Sequence, residues 1–163
     1  MGEVYLRGVA NVFEPDWDEE YDSPPLVGRY ARVGHQAGAQ RLGAAVFEVA
    51  PGAASSPLHV HHANEEMIVV LAGSPTLRTA DGSEELAPGD VVPCLRGSRG
   101  AHRVENHSES PARVLIVSTM VTPDVVEHPD SDKIAAWTDE DTGFTFRKSD
   151  AVPQFFGEMD EQT

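Results

Sequence analysis

The feature that most constrains the fold of this chain is a series of short apolar runs separated by Gly, Pro, Asp and Asn. Such runs are typical of β-strands, and the apolar spacing of a long amphipathic helix is missing. The runs are RLGAAVFEVA (41–50), EMIVVLA (66–72), TLRTA (76–80), DVVPCL (90–95), AHRVEN (101–106) and RVLIVSTMV (113–121). Asp81-Gly82, which follows TLRTA, predicts a two-residue hairpin turn. Many short strands without crossover helices predict an all-β sandwich or barrel of antiparallel strands.

Two of the predicted strands carry apolar residues on both faces. In EMIVVLA, Ile68 and Val70 share a face with Glu66, and the opposite face is apolar as well. RVLIVSTMV has the same two-sided pattern. A strand of this kind must be covered on both faces, by the barrel interior and by a second layer outside it. A homodimer interface and the N-terminal arm are the two candidates for the outer layer, and we favour the homodimer.

Length, charge and cysteine content limit the class of protein. A chain of 163 residues suits one domain. We expect a single domain over residues 1–163, with a core over about 41–121, an N-terminal arm over 1–40 and a C-terminal arm over 122–163. The net charge of −15 argues against nucleic acid or an anionic membrane surface as a partner. The lack of a signal-peptide pattern and the single cysteine, Cys94, predict a cytoplasmic protein.

The two ends of the chain differ from its centre in composition. Prolines and acidic residues predict a loop over 11–28 and an irregular connection over 122–133. The C-terminal arm is rich in aromatic residues, which are Trp137, Phe144, Phe146, Phe155 and Phe156. We expect these aromatic side chains to pack onto the barrel, and the alternative is that they form a pocket wall or lid.

The segment LHVHHANEE carries the strongest chemical signal in the chain. Because side chains alternate along a strand, His59 and His61 point the same way and His62 points the other way. Two such imidazoles can reach one ion, and Glu66 at the start of the next strand can return a carboxylate towards it. His102 adds an imidazole from a separate strand. Three imidazoles and one carboxylate suit Zn, Fe(II), Mn, Ni or Cu, although an HxH pair alone is also common on polar surfaces.

These residues and their spacing resemble the two motifs of the cupin superfamily. The first motif, G-x5-HxH-x3,4-E-x6-G, is matched by Gly52, His59, His61, Glu66 and Gly73, with six rather than five residues after the first glycine. The second, G-x5-P-x-G-x2-H-x3-N, is matched by Gly89, Gly97, His102 and Asn106. Leu95 stands in place of the motif proline, and four residues rather than two precede the histidine. The chain is most similar to small single-domain bacterial cupins of unassigned function.

The resemblance implies a fold, a cofactor and a ligand set. The fold would be a cupin-type double-stranded β-helix, a jelly-roll barrel with the ion inside it. The implied metal ligands are His59, His61, Glu66 and His102, and Glu65 is a rival for the carboxylate position. The implied cofactor is one divalent transition metal ion per chain, with Fe, Mn, Ni and Zn as the candidates. His62 is expected beside the ligands or at the surface.

The remaining candidate side chains are expected to be structural. Cys94 is predicted to be buried and inert rather than part of a pocket. Three arginines near the second motif could grip a substrate carboxylate or phosphate, but pairing with surface carboxylates is favoured for Arg96, Arg99 and Arg103. Asn106 is expected to hold a turn. Three histidines without any partner pattern are assigned to the surface, namely His35, His107 and His128.

The implied metal centre limits the possible functions. A divalent ion with one carboxylate ligand keeps a net positive charge, which favours an anionic or chelating oxygen ligand. Octahedral Fe, Mn or Ni would keep two positions for substrate, whereas tetrahedral Zn with four protein ligands would be closed. We favour a metal-dependent enzyme acting on a small oxygen-rich or carboxylate-bearing molecule by dioxygenase-, isomerase- or decarboxylase-type chemistry. The alternative is a non-catalytic small-molecule-binding cupin with a structural or vestigial metal site.

Overall fold

The structure is a computed structural model that describes residues 8–139, 142–154 and 156. The described strands, in chain order, are β1 (Glu19–Ser23), β2 (Leu26–Ala31), β3 (Gly43–Val49), β4 (Val60–His61), β5 (Glu66–Ala72), β6 (Thr76–Thr79), β7 (Ser83–Glu85), β8 (Val91–Cys94), β9 (His102–Glu105), β10 (Ala112–Ser118), β11 (Asp124–His128), β12 (Lys133–Trp137) and β13 (Gly143–Arg147). One turn of helix, α1 (Val33–Gln36), and three short 3-10 helices (98–100, 129–131 and 148–150) complete the regular structure of these residues. None of the described helices has the length and apolar character that a membrane crossing requires.

The strands form two antiparallel sheets that enclose the core. One sheet has the order β1-β2-β3-β10-β5-β8. The other combines β13-β12-β11-β4 with β7-β6-β9, and a backbone bridge between His59 and His102 joins the two parts. Since both sheets are antiparallel and connect without crossover helices, the architecture is the predicted jelly-roll barrel.

Alternation along the strands explains how the core is filled. Ile68, Val70 and Val114 point inward from the first sheet and are buried against Leu77 and Val104 of the second. Burying each such side chain contributes roughly 1.5–3 kcal/mol relative to leaving it exposed. All six runs predicted as strands form strands, in which the core residues occupy alternate positions as expected.

The outer face of the first sheet is covered in part by the N-terminal segment. Ala10, Val12 and Trp17 pack with residues of β2, β3, β5 and β10 in a second apolar cluster. The Trp17 ring lies 4.1 Å from the Arg29 guanidinium carbon and 5.4 Å from that of Arg113. The segment that precedes the barrel thus supplies the outer layer at this end of the sheet. The homodimer, which we favoured as the outer layer, stays a prediction.

Two predictions of irregular structure were wrong. Residues 11–28 contain β1 and the start of β2, a hairpin that turns at Pro24-Pro25. Residues 122–133 contain β11, which pairs with both β4 and β12. The sequence gives little sign of these strands because β1 is a polar edge strand, and β11 lies in a Pro- and Asp-rich stretch and buries only Asp124 and Val126. Both ends of the chain therefore contribute strands to the two sheets.

The hairpin predicted at Asp81-Gly82 is present, but its turn lies one residue earlier. Thr79 N donates a hydrogen bond to Gly82 O at 2.8 Å, so Ala80 and Asp81 occupy the two corner positions. Gly82 follows the corner with φ of 146°, a conformation that favours glycine. The turn thus joins β6 to β7 as the sequence predicted, in a register shifted by one.

Candidate metal centre

Four side chains from both sheets converge inside the barrel. His61 lies on β4 and His59 just before it, Glu66 begins β5, and His102 begins β9. The backbones of His59 and His102 exchange two hydrogen bonds, of 3.2 and 2.9 Å, which holds their rings 4.4 Å apart between centroids. The Nε2 atoms of His102, His61 and His59 lie 3.0, 3.5 and 3.7 Å from Glu66 Oε2. The structure therefore brings together all four residues that the motif resemblance implied.

The geometry of the cluster favours one carboxylate over the other. Ligand atoms of His59, His61 and Glu66 all lie within 4.8 Å of one another, as one ion would require. Glu65 is exposed on the opposite side of the strand start, where its backbone N donates to Thr119 Oγ1 at 3.2 Å. Glu66, not Glu65, is thus the carboxylate that faces the histidines.

Each of the three imidazoles is oriented by an oxygen that can only accept a hydrogen bond. The acceptors are Pro57 O for His59 Nδ1 (3.0 Å), Asp124 Oδ2 for His61 Nδ1 (2.5 Å) and Gly100 O for His102 Nδ1 (2.8 Å). In a neutral imidazole these contacts place the proton on Nδ1 and leave the lone pair on Nε2. The three lone pairs then face Glu66, which is the arrangement that a metal ion needs from histidine ligands.

The buried polar atoms of the cluster provide a test of whether an ion fits. Glu66 Oε2 and His102 Nε2 are buried, and neither has a well-formed hydrogen bond to any described residue. An ionised carboxylate facing imidazole lone pairs without a proton or cation between them is unfavourable. Burial raises the pKa of Glu66, but N–H donors and positive charge on His102, His59 and His61 would outweigh it and hold the pKa well below its usual range. A positive charge at this point, whether from imidazolium or from a metal ion, thus keeps the carboxylate ionised. The donor set therefore fits a divalent transition metal ion.

Asp124 of β11 is a functional residue that the sequence did not reveal. Its carboxylate accepts hydrogen bonds from His61 Nδ1 (2.5 Å), from Ala63 N (2.8 Å) and from Asn64 Nδ2 (2.8 Å). Burial alone would raise its pKa, but the bonds from His61, Asn64 and Ala63 outweigh it and lower the pKa. Asp124 lies in a segment predicted to be irregular, and no spacing rule links it to the HxH motif, so the sequence carried no signal for it.

A cavity of about 560 Å³ opens next to the cluster, and three of its four side chains line it. Its lining includes His59, His61 and Glu66 together with the apolar side chains of Phe47 and Ile116. A volume of this size is within the range of small-molecule sites, roughly 300–1,000 Å³. The cavity thus gives a small molecule access to the candidate metal centre.

Two of the histidines assigned to the surface lie near the site: one is exposed but also lines the cavity, and the other is half-buried. His35, just after α1 begins, is exposed but lines the cavity. His128 is half-buried, and its ring centroid lies 6.4 Å from that of His59. Burial is the main reason that the pKa of His128 is lowered. The sequence did not reveal that His35 lines the cavity or that His128 is half-buried. These features depend on the N-terminal segment and on β11, whose placement was not predicted. His107 is exposed and contacts Glu105, as expected for the surface.

The other candidate side chains have structural surroundings. Cys94 is buried in the core, where burial and the charge of Glu66 raise its pKa to about 12. His62 is exposed and contacts Glu127 at 2.7 Å, on the face away from the cluster. Arg103 contacts Glu105 at 3.2 Å. Asn106 donates to Val49 O and Ser110 O and thereby holds the turn that precedes β10. Neither Cys94 nor any of Arg96, Arg99 and Arg103 lines the cavity.

The aromatic residues of the C-terminal arm do not behave as one group. Trp137 at the end of β12 lines the cavity, as the alternative of a pocket wall required. The expectation of packing onto the barrel was wrong for Phe144, Phe146 and Phe156, whose side chains are exposed. Phe144 and Phe146 lie on β13, an edge strand, which leaves them without a covering layer. Phe155 lies outside the described residues.

The fold and the site together define a cupin. Residues 45–118 match the family model of the cupin domain, which contains both HxH and the second-motif histidine. This stretch of the chain is a cupin domain. No curated protein matches the sequence.

Solved structures of similar fold extend this comparison. A candidate sugar phosphate isomerase from Acidithiobacillus ferrooxidans aligns with a TM-score of 0.74 and 24% identity over 84% of this chain and 86% of its own. A cupin-superfamily sugar phosphate isomerase from Silicibacter pomeroyi aligns with a TM-score of 0.75 and 24% identity over 89% and 96%. KdgF from a Halomonas species aligns with a TM-score of 0.52 and 17% identity over 68% and 94%. At these identities the likeness is one of fold.

Proposed function

We propose that this cupin is a metal-dependent enzyme that acts on a small oxygen-rich or carboxylate-bearing molecule. In this proposal His59, His61, Glu66 and His102 hold one divalent ion, either Fe, Mn, Ni or Zn. The observation that carries the proposal is the convergence of three oriented Nε2 atoms on the buried carboxylate of Glu66. An ion bound there would act as a Lewis acid towards a chelating oxygen group.

The chain's own residues support this chemistry in two ways. The three neutral imidazoles and one carboxylate supply one negative charge to a divalent ion, so the centre would retain a positive charge for an anionic group. The apolar walls at Phe47 and Ile116 limit water around that group, and electrostatic interactions are stronger where water is excluded. A bound substrate would thus be oriented by its chelating group and shielded by the wall.

The reaction class is left open among three types. Two proteins of similar fold carry the name sugar phosphate isomerase, so isomerisation is one class to assay, beside dioxygenase- and decarboxylase-type reactions. The alternative function is a non-catalytic binder of a small molecule. It is favoured if the ion is Zn, because four protein ligands complete a tetrahedral site and leave no position for substrate.

We also propose a homodimer, which acts in the cytoplasm. The dimer is supported by the apolar side chains that β5 and β8 expose on the outer face of the first sheet, Met67 and Val91. Exposed apolar residues on a sheet that already packs on its inner face are typical of a contact surface. Sedimentation of the wild type beside Val91→Glu tests this part, because a charge at the contact should produce the monomer.

The metal part of the proposal is tested by reconstitution. Wild-type protein, stripped with a chelator and then loaded separately with Fe(II), Mn(II), Ni(II) and Zn(II), should retain about one ion per chain by elemental analysis. Glu66→Gln and His102→Ala should lose most of the bound ion, because each removes one of four ligands. His62→Ala is the matched control, since this histidine belongs to the same HxHH run but faces Glu127 at the surface.

The outcomes separate enzyme from binder. Retention of Fe, Mn or Ni, together with turnover of chelating acids that disappears in Glu66→Gln, would support the enzyme. Retention of Zn without any turnover would support the binder. Wild-type protein that retains no ion after loading with all four metals would overturn the proposal, as would equal retention in wild type, Glu66→Gln and His102→Ala.

A further inference from the structure

Exposed apolar side chains gather around the mouth of the cavity. Leu42, Met120, Val121 and Trp137 all line the cavity, and their exposed fractions range from 41 to 59%. They come from three separate parts of the chain, before β3, after β10 and at the end of β12. Large apolar residues exposed together next to a concave site are typical of ligand contact rather than of chance.

Two glycines make room for this apolar rim. A Cβ at Gly43 would lie 2.7 Å from Met120 Sδ, and a Cβ at Gly143 would lie 2.6 Å from the Trp137 ring. Neither glycine has a positive φ, so the backbone at these positions would accept other residues. The glycines therefore serve to seat Met120 and Trp137 at the rim.

The apolar lining extends beyond the rim towards the metal centre. Phe47, Ile116 and Val126 also line the cavity; Val126 pairs with His61, and Ile116 lies two residues from Ser118, the strand partner of Glu66. Two polar side chains of the lining lie close to the histidines: Ser56 Oγ is 3.4 Å from His59 Nδ1, and Asn64 donates to Asp124, which in turn contacts His61. A ligand that fills this space would place its polar end at the metal centre. Its apolar body would contact the apolar wall and mouth of the cavity.

The charges of the lining are poorly suited to a phosphate group. Arg32 is the one Arg or Lys among the described residues that line the cavity. Its Nε lies 3.5 Å from Asp18 Oδ2, and its backbone N donates to the same oxygen at 2.5 Å, so its charge is largely balanced. Asp124 and Asp139 add carboxylates to the lining. A phosphate dianion held away from the metal centre would therefore find few cationic partners in this lining.

We propose that the substrate of this cupin is amphiphilic, with a chelating oxygen group at one end and an aliphatic or aromatic body that fills the apolar part of the cavity. A phosphorylated sugar is excluded by this proposal. The inference rests on the proposed function, because the head group is assigned to the metal centre. The assignment of the apolar body rests separately on the rim and the wall.

Alkyl hydroxamates of increasing chain length are suitable probes, because the hydroxamate head group chelates divalent ions. Isothermal titration calorimetry would measure the dissociation constants of acetohydroxamate, hexanoylhydroxamate and decanoylhydroxamate with Mn(II)- or Zn(II)-loaded wild-type protein. We expect affinity to rise about fourfold per methylene until the cavity is filled. Glucose 6-phosphate and fructose 6-phosphate should show no measurable binding. Equal affinities along the series, or binding of the sugar phosphates comparable with that of decanoylhydroxamate, would overturn the inference.

Rim variants locate the binding of the apolar body. Trp137→Ser and Val121→Ser should each lower the affinity for decanoylhydroxamate by roughly tenfold. The affinity for acetohydroxamate should stay unchanged, because only the longer chain reaches the mouth of the cavity. Phe146→Ser is the matched control, since this aromatic residue is 55% exposed on the neighbouring strand but does not line the cavity. Equal effects in the rim variants and the control would also count against the inference.

The same series separates this inference from the proposed metal site. In Glu66→Gln, overall affinity should fall while the gain per methylene persists, because the apolar wall is intact. Protein that retains no metal but keeps the chain-length dependence would overturn the proposed metal site and support the apolar cavity. Protein that retains metal but binds all chain lengths equally would support the proposed metal site and overturn the inference of an apolar substrate body.

Discussion

Replacement of Asp124 by Asn tests whether the candidate metal centre depends on the orientation of His61. All three groups that contact the Asp124 carboxylate are donors, namely His61 Nδ1, Ala63 N and Asn64 Nδ2. Asparagine has the same shape, but one of its two terminal atoms is itself a donor. If the amide nitrogen faces His61, Nδ1 must become the acceptor and the imidazole proton moves to Nε2, the atom directed at Glu66. If it faces Ala63, two N–H groups oppose each other.

The size of the effect follows from these contacts. Loss of an outer partner of a metal-bound histidine typically costs 10- to 100-fold in metal affinity, about 1.4–2.7 kcal/mol. Asp124 is only 5% exposed and its contact with His61 is 2.5 Å, so water cannot easily replace the lost acceptor. We therefore expect Asp124→Asn to raise the metal dissociation constant by roughly 30- to 100-fold.

Competition with a chromogenic chelator for Zn(II) and Mn(II) would measure this change. The matched control is Glu127→Gln, which alters the same type of carboxylate–histidine contact, 2.7 Å to His62, at the surface. The control should stay within about twofold of the wild type, and circular dichroism should show that both variants are folded. Dissociation constants for Asp124→Asn within threefold of the wild type, or an equal loss in both variants, would refute the reasoning.

Three further predictions concern stability and reactivity. Although burial raises the pKa of Glu48, hydrogen bonds from Arg113 and Arg29 outweigh it and lower the pKa below its usual 4.5. The stabilisation that ionised Glu48 provides should be complete above pH 4.5. It should be lost as the pH falls through the lower pKa that Glu48 has in the folded state. In urea unfolding, Glu48→Gln should thus cost about 2 kcal/mol at pH 7, with little difference from wild type in strong acid. Because the pKa of Cys94 is raised to about 12, Ellman's reagent at pH 8 should label this thiol in urea but not in the folded protein. Ile68→Ala should lower the free energy of unfolding by about 2–5 kcal/mol, since the side chain is fully buried; a loss below 1 kcal/mol in the same assay would contradict the core assignment.

The part of the site that the sequence predicted depends on local geometry. Alternation along a strand places His59 and His61 on one side and His62 on the other, and this needs no knowledge of the rest of the fold. Glu66 begins a strand whose alternate residues, Ile68 and Val70, are core residues, so its side chain also points inward. His102 was found because its strand has a recognisable apolar pattern and motif.

The part that the sequence did not predict depends on tertiary contacts of weakly patterned segments. β11 is short and polar at its ends, and its pairing with β4 brings Asp124 and His128 to the site. β1 is a polar edge strand, so its hairpin with β2 leaves no periodicity to detect. Trp137 lies in the cavity because β12 pairs with β11, a relation between distant segments that no local pattern encodes.

The distribution of the four candidate ligands has a consequence for the lifetime of the protein. Glu66 belongs to the six-stranded sheet, whereas His61 and His102 belong to the opposite one, so an ion shared by them would join the two sheets. An ion that binds only the folded chain adds about 2.7 kcal/mol at one hundred times its dissociation constant. Unfolding would then follow the free metal concentration, and degradation of the unfolded chain in a cell would make the abundance of this cupin a measure of the metal supply.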